Sequence, residues 1–178
     1  MDRVRRVAMA AALFCGLTAP GPANAQTEST VAELDAFWAG VVKSVVEWSL
    51  PAQKATYHPD AVGVYGTADS YTTSSIWAGF AKREVDTSAV EAPNRRRILE
   101  FRFSLRVHDA STAHEIGLYH FWAEGGEHYY GTVDSYLVKK DGRWLILVEI
   151  QLEPPVTKAD WDALQPPGPG DPPEGGLQ

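Results

Sequence analysis

Two acidic residues near the C-terminal end of the sequence have the type and spacing of a proton-transfer site. Glu149 interrupts the apolar run WLILVEIQL, and Asp134 lies in the preceding segment TVDSYLVKK. A buried, unpaired charge is costly, so a carboxyl group in such a run either faces water or takes up a proton. If Asp141 and Gly142 form a two-residue hairpin turn, Asp134 lies directly opposite Glu149. The Cβ atoms of such a pair are about 5 Å apart.

Two carboxyl groups at this distance could move a proton. They repel each other when both are ionised, so in a poorly solvated pocket one of them holds a proton at neutral pH. The ionised partner then accepts a proton from a substrate, and the neutral partner or a tyrosine stabilises the resulting oxyanion.

The neighbouring hairpin decides which residues share a sheet face with this pair. Placing Glu124 opposite Glu127 at the Gly-Gly turn gathers on the face of Asp134 and Glu149 the residues Tyr119, Phe121, Tyr130, Thr132, Tyr136, Leu147 and Gln151. The opposite face carries Ile116, Leu118, His120, Trp122, Val133, Leu137, Ile146, Val148 and Ile150. Periodicity alone packs this second, more apolar face against the helices and leaves the two carboxylates in solvent.

The elements that position these residues are predicted from apolar periodicity and turn signals. Four strands are predicted, over residues 97–108, 112–124, 128–139 and 144–152. Apolar residues three and four positions apart predict a helix over residues 30–48, with Thr30 and Glu33 in a capping box. A short helix over residues 51–57, a strand over residues 62–65 and a third helix beginning near residues 72–74 follow. Helices followed by an antiparallel sheet give an α+β domain with the helices on one sheet face.

The first 25 residues have the features of an export signal. Three arginines precede an apolar stretch, and Ala23-Asn24-Ala25 matches the pattern that signal peptidase cuts. The stretch is shorter than the ~20 residues that span a bilayer. Cleavage before Gln26 would leave no membrane anchor and send the protein to the periplasm or outside the cell. Residues 26–157 are predicted to form one domain, and the Pro- and Gly-rich residues 158–178 a disordered tail.

Composition and absent motifs argue against several functions. The formal net charge of −7 argues against nucleic-acid binding. The one cysteine, Cys15, leaves with the export signal, so thiol chemistry is not expected. His114 and His120 share a strand face but lie about 20 Å apart, too far for one ion. The sequence has no G-x-S-x-G, phosphate-loop or dinucleotide motif. Neither a metal nor an organic cofactor is predicted.

The order of these segments resembles the nuclear-transport-factor-2-like superfamily, and within it the SnoaL-like and ketosteroid-isomerase-like branches. The likeness covers residues 30–154 and rests on the amphipathic helix, YHPDAVGVYG, IWAGF and the final KKDGRWLILVEIQ. It implies a cone, in which a strongly curved antiparallel sheet wraps around the N-terminal helices as in a cystatin-like roll. It also implies a pocket on the concave side and a homodimer formed through the outer sheet face.

The resemblance assigns roles to single residues. Asp134 falls where ketosteroid isomerases keep a protonated oxyanion-hole aspartic acid, and Glu149 falls where SnoaL-like cyclases carry an acid/base aspartate. Both matches place the carboxylates inside the cone, in contrast to the periodicity. The isomerase general base aligns with Tyr65, which cannot do the work of a carboxylate at neutral pH, and the first helix offers no oxyanion tyrosine. Steroid isomerisation is therefore not predicted.

The favoured hypothesis is a cofactor-independent enzyme of the lyase, isomerase or cyclase type. Asp134 and Glu149 would transfer a proton on a small hydrophobic or aromatic molecule, in a dehydration, double-bond shift, cyclisation or epoxide opening. The residues predicted to bind the substrate are Tyr65, Tyr119, Tyr130, Gln151 and Trp38. The alternative is a non-catalytic protein of the same fold, either a ligand-binding module or a dimeric accessory domain.

Overall fold

The computed structural model of the chain describes residues 22–67, 69–86, 95–153 and 156–164. Its helices are α1 (Pro22–Val46), α2 (Leu50–Lys54), α3 (Ile76–Asp86) and α4 (Lys158–Ala163). Its strands are β1 (Tyr57–Thr67), β2 (Tyr71–Ser75), β3 (Arg97–His108), β4 (Thr112–Ala123), β5 (Tyr129–Lys140) and β6 (Arg143–Glu153). Among the described helices, none combines the length and the apolar content that a membrane span requires. Most of the predicted export signal, residues 1–21, lies outside the described residues.

The six strands form one curved, unclosed sheet in the order β2-β1-β6-β5-β4-β3. The α+β class and the curved sheet around N-terminal helices are confirmed. The four C-terminal strands form the predicted antiparallel meander. The sheet is mixed, however, because β1 runs parallel to β6. These two strands are far apart in sequence, so no turn signal joins them.

The core lies between α1 and one face of the sheet. Leu34 and Trp38, one helical turn apart, pack against Val133, Leu137 and Ile146, and all five side chains are buried. We call this side of the sheet the inner face and the opposite side the outer face. Burying side chains of this kind stabilises the fold by about 1.5–3 kcal/mol each.

Two local predictions about the helices are wrong. Helix α1 begins at Pro22, well before Thr30, so Thr30 and Glu33 form no capping box. Glu33 instead accepts hydrogen bonds from Lys139 Nζ at 2.5 Å and Trp144 Nε1 at 3.1 Å, which ties the helix to the last hairpin. The hydrogen bond from Lys139 is the main reason that the pKa of Glu33 is lowered. Residues 72–74, predicted to begin a helix, instead lie in the exposed edge strand β2, and the helix begins at Ile76.

The β5–β6 hairpin contains a bulge that changes its register. Near the turn the pairing is as predicted, and Leu137 lies opposite Ile146. The next pair along the ladder is Tyr136 with Val148, so Leu147 is an extra residue without its own partner. A shift of one residue exchanges the two faces of a strand. Glu149 therefore faces Ser135, and the predicted pairing of Glu149 with Asp134 is wrong.

The β4–β5 turn is also longer than predicted, so its register differs by one residue. The last pair before the turn is Phe121 with Tyr129, and Gly126 N donates to Ala123 O at 2.9 Å within the turn. Tyr119 and Phe121 consequently share the inner face with Val133 rather than the face of Asp134.

The predicted disordered tail begins with an ordered segment. Residues 158–163 form α4, which starts with a capping box between Thr157 and Asp160. Its Trp161 is buried on the outer face, against the ring of His120 at 5.6 Å and below the guanidinium of Arg102 at 4.1 Å. The domain therefore extends to α4, and residues 165–178 lie outside the described residues.

Candidate functional site

A cavity of about 310 Å³ lies between the helices and the inner face of the sheet. This volume is at the lower end of the range for small-molecule sites, about 300–1,000 Å³. Its apolar walls include Trp38, Val41, Phe80, Leu99, Phe101, Phe121, Val133 and Ile146. Its uncharged polar groups come from Ser44, Gln53, Thr56, Tyr57, Tyr119, Thr132, Ser135 and Gln151. Among the described residues that line it, Glu149 and Arg83 carry the charges present at neutral pH.

Glu149 is held by hydrogen bonds to both of its carboxylate oxygens. Tyr57 Oη donates to Glu149 Oε2 at 2.5 Å. Gln151, two residues along the same strand face, donates from Nε2 to the other oxygen, Oε1. Such donors stabilise the ionised form and fix its orientation. Each oxygen keeps a further lone pair, so Glu149 can also accept a proton from a molecule in the cavity.

Three tyrosines around Glu149 remain protonated at neutral pH. Burial, followed by the charge of Glu149, raises the pKa of Tyr57 well above its ordinary value. Burial and Glu149 also raise the pKa of Tyr65, which lies beside Gln151 in the parallel β1–β6 pair. The pKa of Tyr119 is raised by burial, then by Tyr129 and Glu149. The site thus presents neutral phenols, which donate hydrogen bonds to an oxyanion.

Glycines let two of these tyrosine rings lie flat against the sheet. A Cβ atom added at Gly131 would lie 2.5 Å from Cε1 of Tyr119, its partner across β4 and β5. A Cβ atom at Gly63 would overlap the ring and the Oη of Tyr65. The rings therefore occupy the space of the missing side chains, which leaves room for a ligand above them.

A buried ion-pair network fixes the Trp38 wall of the cavity. Trp38 Nε1 donates to Glu115, whose side chain is fully buried. Arg106 Nε donates to the same carboxylate at 2.5 Å, and Arg106 Nη1 donates to Asp35 at 2.6 Å. Burial opposes the charge of Arg106, but the two carboxylates outweigh it, and its pKa is raised. The network holds the Trp38 indole in one orientation.

Two of the predicted site residues lie away from the cavity. Asp134 is on the outer face, where its Oδ1 lies 2.9 Å from Nε2 of His114. Tyr130 stacks on His120, with ring centroids 4.8 Å apart, beside Trp161. The predicted carboxylate pair inside the cone is therefore wrong, and so is the placement of Tyr130.

The other predicted residues are brought together, and the sequence reasoning missed two more. Four of the predicted residues line the cavity, and Tyr65 lies beside them: they are Glu149, Gln151, Tyr119 and Trp38. Their roles remain predictions. Tyr57 was missed because it was placed at the end of a helix, and no periodicity marks it. Arg83 had a signal, since it follows Ile76 and Phe80 at the helical spacing of a buried face.

The prediction that the protein binds no metal stays a prediction, and the structure bears on it only within the described part of the chain. No group of three or more His, Cys, Asp or Glu side chains is arranged there to hold an ion. Two histidines do lie close together, His120 on the outer face and His128, with 2.8 Å between His120 Nε2 and His128 Nδ1.

Comparison with known proteins identifies a fold. No protein-family model and no curated protein sequence matches the chain. Solved structures do match. An NTF-2-like protein of unknown function from Shewanella oneidensis has a TM-score of 0.56 at 12% identity, over 70% of this chain and 99% of that one.

Two further matches are subunits of larger proteins. The beta subunit of a putative aromatic-ring-hydroxylating dioxygenase from Novosphingobium aromaticivorans has a TM-score of 0.57 at 10% identity, over 74% of this chain and 93% of that one. The beta subunit of benzoate 1,2-dioxygenase from Burkholderia mallei has a TM-score of 0.56 at 16% identity, over 68% of this chain and 89% of that one. Identities this low show the fold alone. The chain has the nuclear-transport-factor-2-like fold that its sequence segments resemble.

Proposed function

We propose that this chain is a small-molecule enzyme of the lyase, isomerase or cyclase type that needs no cofactor and uses Glu149 as a general base. One observation carries the proposal: a carboxylate oriented by Tyr57 and Gln151 lines an otherwise largely apolar cavity of ligand size. Carboxylates in weakly solvated, preorganised surroundings are effective proton acceptors.

The proton transfer can be written with the residues of the cavity. Glu149 accepts a proton from a carbon next to a carbonyl group, and the C–H electron pair moves to the carbonyl oxygen as an enolate. Tyr119, a neutral phenol in the cavity wall, donates a hydrogen bond to that oxyanion. Return of the proton from Glu149 to a different carbon completes a double-bond shift. In a dehydration, a hydroxyl group instead leaves with its bonding electrons and takes the proton away as water.

Deuterium exchange tests this proposal without a known substrate. A set of small cyclic enones and aryl ketones is incubated with the protein in D2O, and exchange next to the carbonyl is followed by NMR. Glu149→Gln should slow the exchange by about 10²–10⁴-fold, because the amide cannot accept the proton. Asp134→Asn is the matched control, since its carboxylate lies outside the cavity, and it should leave the rate unchanged. Equal rates for Glu149→Gln and the unmodified protein would remove the assignment.

A binding function without turnover is the second candidate. The position of Asp134 on the outer face favours it, because the cavity then lacks the second carboxyl group that a paired acid and base would need. A pure binding protein would be stabilised against heat by a ligand that is afterwards recovered unchanged and without incorporated deuterium.

We also propose that two copies of the chain form a homodimer through the outer face of the sheet. A row of directly opposed residues crosses five strands there: Val107, His114, Tyr136, Val148 and Val62. Val107 is 54% exposed, Tyr136 43% and Val62 38%. Large contiguous apolar patches are uncommon on the surfaces of monomers and often mark an interface. Sedimentation equilibrium should show a dimer, and Tyr136→Lys should shift it towards a monomer.

Export is likewise kept as a proposal, supported by the N-terminal sequence pattern. Protein recovered from the periplasm or the medium should begin at Gln26. Recovery of the full-length chain from the cytoplasm alone would contradict it.

A further inference from the structure

A second charge lies on the wall of the cavity that contains Glu149. Arg83 follows the buried residues Ile76 and Phe80 at helical spacing, so α3 turns it towards the cavity rather than towards solvent. The preceding side chain in the same helix, Lys82, is exposed. Arginine stays charged at any physiological pH, so the cavity always contains one guanidinium.

No carboxylate among the described residues neutralises Arg83. Other basic residues, such as Lys54, Arg106 and Lys139, each pair with an acidic side chain. In the described part of the chain the guanidinium of Arg83 lies 5.3 Å from the ring centroid of Trp48 and 5.8 Å from that of Phe80, and its charge opposes the rise in the pKa of Tyr57. A charge on an apolar wall is poorly compensated by ring contacts alone, so an anion bound there would be stabilised.

The residue that supports Arg83 is itself held in an unusual backbone conformation. Trp48 lies two residues after the end of α1 and has a φ of 53°, in the left-handed region that large residues rarely adopt. Its indole also contacts the guanidinium of Arg97, at 4.5 Å. The guanidinium groups of Arg83 and Arg97 therefore both contact the ring of Trp48.

We propose that Arg83 binds the carboxylate of the substrate, and that the substrates are small hydrophobic acids. This inference rests on the proposed function, because it concerns the same cavity. The guanidinium presents two parallel N–H donors that match the two oxygens of a carboxylate. Glu149 repels that carboxylate, so the acid group lies at Arg83 and the hydrocarbon part extends between the apolar walls towards Glu149.

Matched pairs of ligands test the inference by binding alone. Phenylacetate, cyclohexanecarboxylate and hexanoate are compared with their neutral amides by calorimetry at fixed ionic strength, with tryptophan fluorescence as a second readout. Each acid should bind about tenfold tighter than its amide, the worth of one charge-assisted hydrogen bond. Arg83→Gln should remove this preference, and Lys82→Gln, one residue away but exposed, should retain it.

Several outcomes would overturn the assignment. Equal affinity for acids and amides, or an unchanged preference in a folded Arg83→Gln protein, would do so. Inorganic phosphate binding as tightly as the acids would rule out a carboxylate site. If Arg83→Gln does not fold, Arg83→Lys serves instead: it keeps the charge without the planar fork and should weaken acid binding several-fold without changing amide binding.

The same experiment separates this inference from the proposed function. Glu149→Gln should keep the preference for acids, or strengthen it, because a repelling charge has been removed. A protein that prefers acids but catalyses no exchange would count against the proposed function and leave the role of Arg83 intact.

Discussion

Glu149 and Asp134 lie on opposite faces of the β5–β6 hairpin, and the two residues have different surroundings. Glu149, on the inner face, is held by a phenol and an amide in a cavity with largely apolar walls. Asp134, on the outer face, contacts His114, and its side chain is 28% exposed. Two carboxylic acids on opposite faces of the same sheet therefore lie in different environments. The extra residue Leu147 shifts the alternation of inner and outer side chains along β6 by one position. This shift places Glu149 in the cavity while Asp134 stays on the outer face.

The largest effect on stability is expected from an insertion that pairs Leu147 and so changes which face Glu149 occupies relative to the core residues. Inserting one valine after Tyr136 gives Leu147 a partner and makes the ladder regular. Leu137 and Ile146 then lie on the opposite face from Glu149, so the core pair and Glu149 can no longer both point to the inner face. Exposing these two side chains would cost about 3–6 kcal/mol in unfolding free energy, measured by urea denaturation.

Deleting Leu147 is the matched control for this insertion. It leaves Val148 opposite Tyr136 and Glu149 opposite Ser135 in a regular ladder, so both faces are kept. The deletion should retain most of the deuterium exchange. Equal unfolding free energies for the insertion and the deletion would show that the bulge does not determine which face Glu149 occupies.

The next largest effect concerns the two ends of the Arg106 network. Glu115→Gln removes a fully buried partner of Arg106 and should lower the unfolding free energy by about 3–5 kcal/mol. Asp35→Asn removes the exposed partner and should cost less than about 1 kcal/mol. Chemical denaturation of the two variants compares them directly, and similar losses would contradict the buried role of Glu115.

A smaller effect is expected beneath Tyr119. Gly131→Ala places a methyl group against the ring and pushes it into the cavity, with a cost of about 1–3 kcal/mol and weaker ligand binding. Gly40→Ala is the control, since a Cβ atom there meets nothing within 4 Å inside α1 and should stabilise by about 0.5–1 kcal/mol. Thermal melts and ligand titrations of both variants test this, and unchanged binding by Gly131→Ala would contradict it.

The smallest effect belongs to the outer acid. Asp134→Asn weakens a partly exposed contact with His114 and should change the unfolding free energy by less than about 1 kcal/mol. A loss of several kcal/mol, seen by urea denaturation, would show that the outer face depends on this residue more than its exposure suggests.

Much of the architecture could be predicted from the sequence because its signals are local. The apolar spacing of α1 marks the side that packs on the sheet, and the strand ends follow the turn residues to within a few positions. The bulge at Leu147 had no such signal, since a bulge of this kind needs neither glycine nor proline. The register beyond it was therefore wrong by one residue, and Asp134 was placed on the wrong face.

The site was predictable only in part for the same reason. Gln151 and Glu149 lie two residues apart on one strand, so any register keeps them together. Tyr57 reaches Glu149 through the parallel pairing of β1 with β6, which joins distant parts of the sequence. Arg83 could have been identified from its helical spacing, but an arginine at such a position also fits a partly exposed helix side.

Among the described strands β6 is synthesised last, yet it occupies a central place in the sheet, between β1 and β5. A nascent chain that ends before residue 143 holds β1–β2 and the β3–β5 meander as two separate pieces, each with an unpaired edge. Such edges invite association with other chains, and joining them requires contacts across most of the sequence, which slows folding. Closure of the sheet and arrival of the Glu149 carboxylate are thus one event, so a ligand-competent cavity exists only once synthesis has passed this strand.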